Sequence, residues 1–213
     1  MPTTIWSVWD DDILTDIPGA KQEFVRHHLK LAAIEFCKLA WVWLIDQAVI
    51  PVVAGTNSYS WTSMPAGTAV ARVLQVWIEK RQIFPKTRNE LSDIYGDYMR
   101  AEGPSRYFIA DLPSKIILVP KPSSDIADGI TAKFAVAPTR AATGVETEIF
   151  DRYFDAISKG AKARIFGIKR KPWTDMDKAT EQRVLFEDAI SEAKTNVIRS
   201  FAGARLRNRA QFF

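Results

Sequence analysis

The spacing of apolar residues along this 213-residue chain changes period twice, and that change limits the fold more than any single motif. From Ala20 to Ala48, Val25, Leu29, Ala32, Phe36, Leu39 and Trp43 recur every three or four residues, which predicts one long helix. Ala33, Cys37, Ala40, Trp41 and Leu44 widen the stripe, so its C-terminal half is expected to be buried on most sides. A short helix over 5–16 precedes it, with Trp6, Trp9, Ile13 and Ile17 at helical spacing and Pro18-Gly19 as its stop. At Pro51 the pattern changes. Tyr59–Trp61, Val70–Ile78, Arg106–Ala110, Lys115–Val119 and Ile130–Val136 read as strands, the third and fourth of them as a hairpin. Thr87 and Glu90 have capping-box spacing and predict a short helix over 88–99. Helical period returns over 147–166. Thr174 is then the expected N-cap of a last helix to about 202, striped by Met176, Ala179, Arg183, Phe186, Ile190, Ala193, Val197 and Phe201.

This order predicts an α+β fold. Long helices from 1–50 and 139–203 form a helical bundle, a β-strand-rich insertion occupies 51–138 between the second and third long elements, and 204–213 forms a tail. A chain of this length, 47% hydrophobic and 25% charged, can bury a core without staples.

The net charge of +4 is too weak by itself to argue for nucleic acid, but its distribution is uneven. Asp10, Asp11, Asp12 and Asp16 stand in a stretch, 1–20, without Lys or Arg. Lys159, Lys162, Arg164, Lys169, Arg170 and Lys171 stand in one, 159–171, without acid. Opposite patches on identical subunits can meet head-to-tail and build rings. The same runs are also the pattern of solvated faces.

Catalytic and metal-binding patterns are missing. His27 and His28 are neighbours, so on a helix they point about 100° apart and cannot chelate one metal together. Cys37 lies on the apolar stripe with no activating base, as a core cysteine does. The acids at 10–12 lack calcium-loop spacing, and no phosphate-binding glycine loop or nucleophile elbow is present. The expectation is therefore binding and not turnover, with no metal and no cofactor. A lone cysteine suits a reducing compartment, and the sequence shows neither a signal peptide nor a membrane span. No DNA-reading motif accompanies Lys169-Arg170-Lys171, so any DNA contact is expected to be non-specific. Arg199, Arg205, Arg207 and Arg209 lead to Phe212-Phe213, the composition of a segment that orders on a partner.

Three stretches, in order, resemble the head-to-tail adaptor (neck, connector or head-completion) proteins of tailed bacteriophages. The first is Ile13–Gly19 followed by the helix with Ala33–Cys37. The second is Ala54–Tyr59 with Met64–Thr68, leading into Val70–Ile78. The third is Lys171–Thr174 with Phe186–Ile190 and the arginine-rich end Arg205–Arg209. The resemblance implies a structural virion protein, a subunit of a homo-oligomeric ring, usually a dodecamer, that docks below the portal protein. It implies that the ring extends the DNA channel and offers a surface to the next tail component, nozzle or tube. It places the protein in the virion neck, and in the host cytoplasm during assembly. Carried to this chain, the portal contact falls on Arg199, Arg205, Arg207, Arg209, Phe212 and Phe213, and the tail contact on 51–138. The basic patch of Lys159, Lys162, Lys169, Arg170 and Lys171 lines the channel or meets the acidic patch, Asp10, Asp11, Asp12 and Asp16, of a neighbour. Another tail or baseplate component, or a non-specific DNA-binding protein, are the alternative readings of the same residues.

Overall fold

The structure, a computed structural model, describes residues 3–110 and 114–199. The chain enters with strand β1 (Thr3–Ile5), a 3-10 turn over Trp6–Trp9 and helix α1 (Asp10–Asp16). Helix α2 follows over Gln22–Ala40. It stops eight residues before the expected Ala48, because Trp41 takes a left-handed conformation (φ 57°) and its N–H caps the Cys37 carbonyl. The apolar run beyond it is a strand, β2 (Leu44–Val52). Ile45 and Gln47 turn inward while Asp46 and Ala48 turn outward, a period of two that the dense apolar composition conceals.

The expected bundle of long helices with a strand insertion is therefore overturned. The fold is α+β, with five helices among the described residues and a seven-stranded sheet. Two compact units share the chain, residues 1–42 with 138–213 and residues 43–137.

The unit 43–137 is built on the sheet. Its strands are β2, β3 (Ser58–Ser60), β4 (Thr68–Ile78), β5 (Arg81–Pro85), β6 (Tyr107–Ile109), β7 (Lys115–Val119) and β8 (Ile126–Pro138). Their order is β2-β8-β4-β5-β6-β7-β3. Pairing is antiparallel where register is given, except that β5 and β6 run parallel. Helix α3 (Arg88–Tyr95) supplies that crossover and buries Leu91 against Ile109 and Val119. Its N-terminus is the expected capping box. The Lys86 ammonium and the Thr87 groups hold the Glu90 carboxyl down at about 2. The edge strand β2 is latched from outside by its own buried Gln47. The Gln47 amide donates to Thr62 Oγ1 (2.9 Å) and Ser63 Oγ (3.1 Å), and its carbonyl accepts both backbone N–H groups of those residues (3.1 Å each). Ser63 Oγ also accepts the Ala48 N–H at 3.3 Å, so the edge is partly covered.

The other unit packs α2 against α4 (Thr147–Phe166) and α5 (Met176–Arg199), with β1 paired to β9 (Gly144–Glu146). Tryptophan anchors its N-terminal arm. Trp9 is fully buried, stacked on Phe154 (5.6 Å) and edge-on to Phe150 (4.6 Å), and the Trp6 indole N–H donates to the Ala142 carbonyl (2.8 Å). Gly160 on α4 lets α5 approach closely, and the Phe186 ring fills the space a Cβ would need. Asp175, and not the expected Thr174, caps α5, accepting the Lys178 N–H at 3.0 Å. Thr174 Oγ1 instead closes the preceding turn, donating to the Ile168 carbonyl and accepting the Lys171 N–H.

Candidate assembly interface

The charges singled out in the sequence meet first within one chain. Asp10 is buried and takes a bidentate contact from Arg26 of α2, with Arg26 Nε at 2.9 and 3.0 Å from its two oxygens. Asp12 accepts from Ser158 (2.6 Å) and Lys162 (3.1 Å), and Asp16 pairs with the same Lys162 at 2.8 Å. Burial would push the Lys162 ammonium down, but the hydrogen bonds to Asp16 and Asp12 outweigh it and raise its pKa. Asp11 is exposed. The acidic run thus spends Asp10, Asp12 and Asp16 on docking α1 against α2 and α4.

A second polar centre joins residues that no sequence motif connects. Glu35 of α2 accepts from Arg164 of α4 (2.6 Å) and Arg183 of α5 (2.9 Å), so one carboxylate ties three helices. Arg183 reaches on to Glu187 at 2.6 Å. Burial alone would raise the Glu35 pKa, but the two guanidinium groups outweigh it and hold it below the usual carboxylate range. The available signal was a lone acid inside the apolar run Ala32–Phe36.

His28 is held neutral, its pKa lowered by burial, by His27 and by Arg164. Burial pushes the Cys37 thiol up to about 12, which removes it as a nucleophile. Among the described residues no group of three or more His, Cys, Asp and Glu could hold a metal. No described helix is long and apolar enough to cross a membrane.

The remaining cations singled out in the sequence are at least partly exposed where they are described. Lys169, Arg170 and Lys171 are exposed in the turn between α4 and α5, with Arg170 at φ 62°. Lys159 is half-buried on α4, and Arg199 is exposed at the end of α5. Arg205, Arg207, Arg209, Phe212 and Phe213 lie outside the described residues.

A family model described as SU10 adaptor protein matches residues 7–209, nearly the whole chain. The chain belongs to this family of phage head-to-tail adaptors. No match was found among the curated proteins. The adaptor is accordingly a structural protein of the bacteriophage virion, located at the neck and associated with portal and tail components. Its side chains suit that work. The partly buried ion pairs brace helices against one another, while among the described residues the cations of the α4–α5 turn form no ion pair.

Proposed function

We propose that the adaptor is the subunit of a ring, a dodecamer, that docks below the portal, extends the DNA channel and offers the tail its attachment surface. The observation that carries this reading is the family match, which spans both compact units and runs into the arginine-rich end. In this reading Arg199, Arg205, Arg207, Arg209, Phe212 and Phe213 make the portal contact. Arginine and aromatic side chains give large contact energy per residue, and a ring adds avidity to each weak contact. The unit 43–137 carries the tail contact, and the next component, nozzle or tube, meets it there. Lys159, Lys169, Arg170 and Lys171 face either the channel, where DNA contact is non-specific, or a neighbouring subunit. The function is binding without turnover, and the ring assembles in the host cytoplasm.

Deleting 204–213 tests the docking assignment. The shortened chain is expected to keep its far-ultraviolet circular dichroism and thermal transition and to lose co-sedimentation with portal protein. Portal binding at full strength after the deletion would refute it.

A further inference from the structure

Helix α5 presents an outward face that the described residues leave uncovered. Met176, Val184 and Ile198 on it are each about half exposed. Between them stand Thr180, Ser191 and Thr195, whose hydroxyls donate to the carbonyls of Met176, Glu187 and Ser191 one turn back (2.9, 3.0 and 2.9 Å). Those hydroxyls are spent on the helix backbone, so the stripe offers methyl groups and carbon to whatever covers it. An open groove of about 330 Å³ runs beside it, floored by Ala163 and Ala179.

Along one flank of this stripe Asp177, Glu181, Asp188 and Glu192 recur at intervals of four, seven and four residues, which puts them on one side of the helix. All four are exposed, and among the described residues none forms an ion pair. Three of the cations of α5 are used elsewhere, Arg183 on Glu35 and Glu187, Lys178 on Asp175, and Lys194 over the Trp41 ring at 4.4 Å, and Arg199 stands exposed at its end. The same unit carries a basic counterpart, Lys169, Arg170 and Lys171, exposed in the turn before α5. The acids of the N-terminal segment cannot answer it fully, because Asp10, Asp12 and Asp16 are already paired within the chain.

We propose that the apolar and acidic face of α5 is the docking surface for a second copy of this chain, whose basic α4–α5 turn seats against Asp177, Glu181, Asp188 and Glu192. The contact joins two different patches, so it is heterologous, and repeated contacts of that kind close into a ring when the rotation permits. The apolar stripe supplies the buried area, and the charges set register and partner choice. This inference rests on the adaptor reading and assigns the faces by which its subunits meet.

The test uses the full-length chain in two variants that each gain one cysteine, Arg170→Cys and Asp188→Cys, with a short bis-maleimide. Cys37 is buried and does not compete. Mixed together, in solution and on portal, the two variants are expected to cross-link to each other, while neither cross-links to itself. A charge-reversed chain, Asp188→Lys with Glu192→Lys, is expected to lose self-association and to regain it when Lys169, Arg170 and Lys171 are also changed to Glu. Absence of the mixed cross-link in both settings, self-linking by either variant, or full self-association of the reversed chain would each overturn the assignment. Failure of the unaltered chain to bind portal would instead count against the adaptor reading, and leaves the cross-link readout in solution intact.

Discussion

Gly160→Ala should weaken this protein, although alanine normally strengthens a helix. In an ordinary helix interior the exchange gains roughly 0.5–1 kcal/mol, because glycine loses more backbone entropy on folding. At Gly160 a Cβ would stand 2.6, 2.8 and 2.9 Å from three carbons of the Phe186 ring. That ring is fully buried, and Phe36 lies 6.0 Å away, centroid to centroid, so it has little room to withdraw. Overpacking a tight core costs about 1–3 kcal/mol. The balance is a net loss of up to about 2.5 kcal/mol, or up to about 10 °C in melting temperature for a chain of this size. Thermal unfolding by circular dichroism on the full chain reads it directly. A double-mutant cycle sharpens the test. Phe186→Leu removes the ring that the added methyl group would strike, so the combined variant should lose less than the sum of the single losses, with coupling of about 1 kcal/mol. A Gly160→Ala protein that melts higher than the unaltered chain, or strict additivity in the cycle, would refute the packing argument.

Three further outcomes rest on the same geometry. Glu35 has a lowered pKa in the folded chain, so its contribution is present above its unfolded value of 4.5 and is lost as pH falls through the folded value. Glu35→Gln should cost about 1.5–3 kcal/mol at neutral pH, and urea titration should show that gap closing in acid. A gap independent of pH would show that the charge is irrelevant. Gln47→Ala leaves the N–H groups of Thr62 and Ser63 without their acceptor and uncovers part of the β2 edge. It should cost about 1–3 kcal/mol and speed amide exchange at 44–52 and 62–63, with rates unchanged elsewhere in the sheet. Cys37, with its thiol pushed up to about 12, should resist a thiol reagent at pH 8 until the chain is denatured. Rapid labelling of the native chain would contradict its burial.

Some of these features are legible in the residues alone. The switch between helical and alternating period marks where strands begin and end because each element must turn its apolar side chains to one face. Thr87 and Glu90 announce a capping box because both partners are local. The family, too, is written in the order of short motifs from Ile13 to Arg209. Leu39–Ile50 is misleading. Apolar residues crowd it so densely that period two and period three to four fit alike, and the bundle expectation grows from that ambiguity. What decides it is β8, whose Phe134 and Ala132 pair with Ile45 and Gln47 from far along the chain. Charge pairing is likewise a matter of tertiary structure. Composition places acids at one end and bases near the other, but only the packing of α1 on α4 brings Asp12 and Asp16 to Lys162. The sequence by itself determined which segments could bury a face, and it identified the family. Tertiary structure decided which charges were already satisfied, because an ion pair depends on distance in space, and Asp12, Asp16 and Glu35 meet cations more than a hundred residues away.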